Sequence, residues 1–582
     1  MKWYWEPRPS SGADSIDDHA PGLGAVPRAL LERHGARVLS PADAAAVSGF
    51  PPPRSTVYRA KTLLISDAVL AKEGVRRILA GVGMSLHRPD GGIQLGKHVP
   101  AGLAAKLRGL PHTAVLRPAA DHEGAARPVV LDAWAALQAL RAATAESGQF
   151  IDLTREDVGT ISLEHLLLGS AITITGSPAS DGGGVLGSPA SDGGGVSASP
   201  VTVGSYLSRG LDARAPVGLC LAAPARTKLA DFVASHGRRP VIAVLDSGVR
   251  VHPWLDVIKQ ATAPGGYRTA GADPFVAVDE VIQGEIEQLG QQAAAAGDQP
   301  GQLIRGPWDK PVTANPLVGE LDTHTGHGTF IAGLVRQIVP DAQVLSIRIM
   351  HSDGVVYEGH LVAALTLIAA RVAGAGAGLT GMVDVISLSL GYFSETTADR
   401  AYTTGLGQLI ETLLGMGVVV VAAAGNYATS RRFYPAAFAG TATGPVPVIS
   451  VGALNPNGSK ALFSDGGRWI KAWAMGAAMV STFPIDINGR RDPEISMPAH
   501  PANTLPQGSP LPGKRQSLDF DDYSDGFAIW SGTSFSTPVI AAHIGKQLID
   551  GAVHAGLGLG VSGAPAAVKR VTDALIRLGW QG

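Results

Sequence analysis

From residue 241 onward the chain alternates between short segments that are apolar on both faces and longer segments that are apolar on one. The runs Val241 to Leu245, Val344 to Ile349, Val383 to Leu390, Val418 to Ala424 and Val448 to Val451 are each predominantly apolar. That pattern predicts strands of a parallel sheet, buried by helices above and below. Between them, Leu361 to Val372 has the amphipathic spacing of a covering helix, and the apolar run after Gly328-Thr329, Phe330 to Val335, predicts another. The expected fold of this part is α/β, a buried and mostly parallel sheet flanked by helices.

The first third of the chain has a different rhythm. Residues 1–55 are rich in Pro, Gly and Ala, close on Pro51-Pro52-Pro53, and read as a partly ordered arm. Thr56 to Ile65 is a β-branched and aliphatic run that predicts a strand. Val75, Ile78, Leu79 and Val82 then fall on one helical face, Thr113 to Leu116 predicts a further strand, and Ala133, Leu137 and Leu140 line a second helix. Residues 56–175 are therefore expected to form a small α+β domain. Within 176–200 the decapeptide Gly-Ser-Pro-Ala-Ser-Asp-Gly-Gly-Gly-Val occurs twice, from Gly176 and from Gly187. Such a tandem cannot bury a core and reads as a linker open to nicking, leaving 201–582 as the second domain.

Composition narrows the function classes. Lys plus Arg number 47 against 49 Asp plus Glu, so no global field recommends nucleic acid or an anionic membrane. Charged residues make up only 16% of a chain rich in Gly, which suits a large interior of small residues rather than disorder. Met1 to Pro7 lacks the apolar core of a secretory signal, and no stretch approaches 18 uninterrupted apolar residues, so a soluble cytoplasmic protein is expected. Cys220 is the single cysteine, which excludes an intramolecular disulfide; it reads as a buried small hydrophobe.

Four polar positions stand where an α/β sheet gathers its chemistry, at the carboxyl ends of strands or beside helix starts. Asp246 ends the run Val241 to Leu245. His327 lies between Gly326 and Gly328, where backbone and substrate can approach an imidazole closely. Asn426 ends Val418 to Gly425, and its amide N–H is the kind of donor an acyl-transfer oxyanion needs. Ser534 stands in Ser531-Gly532-Thr533-Ser534-Phe535-Ser536-Thr537-Pro538, ahead of an apolar run, where free helix N–H groups favour a nucleophile. Read singly, each also has a bland explanation: a strand-closing carboxylate, a satisfied imidazole, a turn amide, a helix cap. His324, without flanking glycines, reads as the bland kind.

In the order Asp, His, Asn, Ser the chain resembles the subtilisin-like serine proteases, the subtilase family. The resemblance rests on VIAVLDSGVRVHPWL (241–255), GHGTFIAGLV (326–335), DVISLSLG (384–391), VVVVAAAGN (418–426), VPVISVGAL (446–454) and SGTSFSTPVIAA (531–542), and covers about 240–545. It implies a subtilisin-like domain and an endopeptidase acting on protein or peptide substrates. Ser534 would be the nucleophile, His327 the general base and acid, and Asp246 its orienting carboxylate. Asn426 with the Ser534 backbone N–H would form the oxyanion hole. An extended peptide would add as a strand beside Ser389-Leu390-Gly391, with Ala423-Ala424-Gly425 as the other wall of the primary pocket. Tyr392, Phe330 and Phe535-Ser536 depart from the commonest residues at their positions, so pocket shape does not transfer.

Two stretches exceed a compact catalytic fold. The first, 262–318, contains a helical segment from Val278 to Leu289 that reads as a solvated surface helix. The second, 485–527, ends in the acidic run Asp519 to Asp525 and is a candidate rim of the active site; its oxygen ligands would suit calcium, but its spacing matches no EF-hand pattern. No cofactor and no metal is expected, and neither nucleic acid nor membrane as partner. The expected activity is a serine endopeptidase restrained by its N-terminal domain or a regulatory protein partner, with the linker at 176–200 as the place of self-cleavage. The competing expectation is a silent fold of the same kind serving as a peptide-binding or signalling module.

Overall fold

The predominantly apolar runs do lie side by side. In the computed structural model, which describes the chain apart from 8–25, 121–128, 146–151, 171–213, 375–380, 397–403, 490–495, 498–514 and gaps of one to four residues elsewhere, eight strands form one sheet. Their order is Trp3–Trp5, Ala472–Met475, Val448–Leu454, Val419–Ala423, Val385–Leu388, Val241–Asp246, Gln343–Arg348 and Val276–Val278. All neighbouring pairs are parallel except the first, where Trp3–Trp5 runs antiparallel to Ala472–Met475. The helices His327–Ile338, Glu358–Gly374 and Thr533–His554 cover the sheet. Leu, Ile and Val from strands and helices merge into one continuous core, the arrangement that makes both faces of each strand apolar.

A second core gathers Leu63, Leu79, Leu116, Leu137 and neighbours. The strands Ala36–Leu39, Thr56–Ile65, Met84–His87, His112–Pro118 and Ser162–Gly169 pair antiparallel, backed by Glu73–Gly81 and Ala133–Ala145. Val75, Ile78 and Leu79 are buried on the first helix, whereas Val82 falls just past its end and is exposed.

Three expectations change. The arm 1–55 is not merely a leader to the domain: Trp3–Trp5 supplies an edge strand of the large sheet, and Ala36–Leu39 joins the small one. The helix in the first insertion, Glu280–Ala295, is not solvated, because Ile282, Gln283, Ile286 and Ala293 are buried. Gln283 exchanges hydrogen bonds with the backbone of Arg348 at 3.0 and 3.2 Å, which fixes the helix to the neighbouring strand. Mixed charge on its outer face hid a buried inner one. Cys220 is exposed, since its segment lies outside regular structure and packs under nothing. The repeat at 176–200 lies outside the described residues. Among the described residues no helix is long and apolar enough to cross a membrane.

Candidate active site

Asp246 and His327 meet because the strand Val241–Asp246 ends where the helix His327–Ile338 begins. The imidazole Nδ1 donates to Asp246 Oδ1 at 2.8 Å, and the same oxygen accepts the Ser247 N–H at 2.7 Å. Both side chains are buried. A carboxylate on Nδ1 sets the tautomer that leaves Nε2 as an acceptor, and Nε2 has no hydrogen-bond partner among the described residues. Gly328 is required at this junction, since a Cβ there would lie 2.1 Å from the Gly248 carbonyl oxygen. Gly326, at φ 83°, turns the chain into the helix. Its N–H donates to Asp309 Oδ2 at 2.6 Å, and burial pushes the Asp309 carboxyl up to about 6.

Ser534 is the second residue of the helix Thr533–His554, so its N–H is one of the free donors of that end. Its hydroxyl donates to the Ser389 carbonyl at 3.2 Å, turned toward the strand segment rather than the imidazole. Asn426 is oriented by Thr533, whose N–H and hydroxyl both donate to Asn426 Oδ1 at 2.9 Å. That pair forces the amide nitrogen to face outward.

What it faces is the chain's own N-terminal domain. The Ser170 carbonyl accepts from Asn426 Nδ2 at 2.6 Å and from the Ser534 N–H at 2.9 Å, while the Ser170 N–H donates to the Ser389 carbonyl at 3.0 Å. The preceding strand, Ser162–Gly169, lies antiparallel between Val355–Tyr357 and Leu390–Phe393, with Leu168 opposite both Val355 and Gly391. The Gly169 N–H donates to the Gly354 carbonyl at 2.8 Å. Ser389, Leu390 and Gly391 therefore do border an added strand. Ala423, Ala424 and Gly425 are buried, and the Gly425 N–H donates to Thr533 Oγ1 at 3.2 Å.

One charged cluster fastens this strand. His165, fully buried, places Nδ1 2.6 Å from Glu358 and Nε2 2.8 Å from Glu395, and its ring stacks on Tyr392 with centroids 4.3 Å apart. Burial works to lower the His165 pKa, but the two carboxylates outweigh it and hold it up at about 10. Glu395 in turn is held below the usual carboxylate range, burial being outweighed by His165.

Sequence reasoning missed Ser170, His165, Glu358, Glu395 and Thr533. The available signal was a strand-like run, Ser162 to Gly169, directly ahead of the glycine-rich repeat. In the acidic run, Asp519 and Asp522 accept from backbone N–H groups two residues on in their own turns. Among the described residues no group of three or more His, Cys, Asp or Glu is placed to hold a metal ion.

The model of the Subtilase family matches residues 237–549, more than half of the chain and all four positions above. The chain belongs to the subtilase family. Among curated relatives, this subtilase is 31% identical to Subtilisin DY of Bacillus licheniformis over 172 residues, covering 27% of this chain and 54% of that protein. It is also 31% identical to the Thermophilic serine proteinase of Bacillus sp. (strain AK1) over 195 residues, 32% of this chain and 41% of that one. It thus spans about half the length, or less, of these relatives. Two solved structures align at TM-scores below 0.5. A cold adapted subtilisin-like serine proteinase gives 0.30 with 16% identity, over 57% of this chain and 81% of its own. The protease domain of PatA gives 0.32 with 18% identity, over 58% and 95%.

Proposed function

We propose that this subtilase is a serine endopeptidase whose first substrate is its own chain, and that the cleaved N-terminal domain then restrains it. The observation that carries the reading is the Ser170 carbonyl, held by two N–H donors beside a serine hydroxyl, where the reacting carbonyl of a substrate belongs.

In the proposed reaction Ser534 Oγ turns from the Ser389 carbonyl to His327 Nε2, which takes its proton as Oγ attacks the Ser170 carbonyl carbon. Asp246 keeps the imidazole in register and stabilises its charge. The developing oxyanion stays on Asn426 Nδ2 and the Ser534 N–H. The bond from Ser170 to Ala171 breaks, His327 returns the proton to the departing amine, and water repeats the sequence to release a Ser170 carboxylate. Main-chain pairing on both sides of Ser162–Gly169 and the His165 cluster support retention of the product strand, which blocks the cleft until it is displaced.

Wild type and Ser534→Ala, purified side by side and analysed by intact mass and N-terminal sequencing, test the reading. The expected result is a wild-type chain split after Ser170, with an intact variant. A split at the same place in both proteins, or an uncut wild type whose Ser534 also fails to react with a fluorophosphonate, would refute it.

A further inference from the structure

Resting on the peptidase reading, we infer that His324 closes the subsite for the residue before the cleaved one, and that this subtilase requires glycine there, followed by a small residue. Gly169 occupies that position. Its φ lies outside the left-handed region, so its backbone would accept any L-residue but proline, which lacks the N–H that Gly169 donates to Gly354. The restriction comes from a neighbour: a Cβ on Gly169 would stand 2.5 Å from His324 Nε2, 2.6 Å from Cδ2 and 3.2 Å from Met350 Cε.

The ring cannot yield cheaply. A Cβ on Gly354 would stand 2.3 Å from His324 Nδ1, so the imidazole lies against both of two glycines that are themselves joined by the hydrogen bond from the Gly169 N–H to the Gly354 carbonyl. It is 4% exposed. Nδ1 lies 3.0 Å from the Thr323 hydroxyl, the His324 N–H donates to the Ser352 carbonyl at 2.8 Å, and His327 stands edge-on at 5.1 Å. The loop that carries it is stapled by Arg214, which donates to the carbonyls of Asp322, Thr323 and Thr325 at 2.9, 3.1 and 2.8 Å. In such a packed site a methyl group is relieved only by shifting the substrate strand or the loop.

The next pocket is shallow for a related reason. Phe433, buried, presses on both of its walls: a Cβ on Gly391 would be 2.3 Å from Phe433 Cε1, and one on Gly425 would be 3.2 Å from Cδ1. Ser170, the residue at this position, is itself 3% exposed. The substrate class is thus extended peptides carrying glycine and then serine, or a residue of similar size, ahead of the cut.

Two arms test this. In the catalytically inert Ser534→Ala chain, hydrogen exchange of 162–170 reads docking without chemistry. Adding Gly169→Ala is expected to speed exchange roughly 10- to 100-fold, and His324→Ala to restore protection in the triple variant. In the self-processed enzyme, a peptide spanning 165–174 is compared with the same peptide bearing alanine at the position of Gly169. The expected kcat/KM ratio is at least about 10-fold in favour of glycine, falling toward one with His324→Ala. Equal protection of the two inert chains, or a wild-type ratio within threefold, would overturn the inference. Loss of docking in Gly169→Ala together with a wild-type chain that stays uncut would leave the closure standing and remove the peptidase reading instead.

Discussion

Replacing His165 by leucine isolates what holds the N-terminal domain in the cleft. The imidazole is the charged partner of Glu358 at 2.6 Å and Glu395 at 2.8 Å, and all three side chains are buried. Leucine fills much of the space but leaves two carboxylates in a low-dielectric interior. Breaking a buried ion pair by removing one partner costs about 3–5 kcal/mol, because the remaining charge is uncompensated. Two contacts soften the loss here: the Tyr392 hydroxyl donates to Glu358 at 3.3 Å, and Arg141 lies 3.9 Å from Glu395. The lower end of the range is therefore expected, about 3 kcal/mol, or roughly a 100-fold rise in the open population. Opening returns both carboxylates to water, so the strain is felt by docking rather than by either core. Amide exchange of 162–169 and 354–357 in the Ser534→Ala chain measures it directly. Peptides from the helix Thr533–His554 serve as the control and should not change. A change below about threefold at 162–169, with the control steady, would refute the assignment of docking energy to this cluster.

Three further outcomes are expected. Because docked His165 keeps its proton up to about pH 10, whereas a solvated imidazole loses it near 6.5, its contribution is full below about pH 6.5 and is lost as pH rises toward 10; restraint of the processed enzyme should weaken by up to roughly tenfold per pH unit across that window, and inhibition that tightens with rising pH would contradict the sign. Asn426→Ala removes one of the two donors to the Ser170 carbonyl and should slow self-processing roughly 100- to 1,000-fold, read as the rate of appearance of the split chain; an unchanged rate would exclude Asn426 from the oxyanion site. After processing, residues 1–170 should co-elute with the remainder at neutral pH, because Trp3–Trp5 is an edge strand of the large sheet and Trp5 donates to the Leu578 carbonyl at 2.7 Å while packing on Trp580; Trp5→Ala should loosen the pair, and separation of wild-type fragments at micromolar concentration would show that the strand does not hold them.

The sequence by itself determined the parts whose cause is local. Val241 to Leu245 and Val418 to Ala424 had to be strands apolar on both faces, and the ordered motifs around Asp246, His327, Asn426 and Ser534 had to gather at the carboxyl ends of the strands. Burial leaves its mark on each short segment, and strand ends leave theirs in glycines and polar caps. Only the tertiary structure decided what occupies that end of the sheet. Ser162–Gly169 reaches its partners Val355–Tyr357 and Leu390–Phe393 across about two hundred residues, and no local periodicity records such a pairing. For the same reason His165 and its two glutamates were invisible, and His324 read as bland: its consequence lies in the 2.5 Å that would separate its Nε2 from a Cβ on Gly169, set by the meeting of segments far apart in the chain.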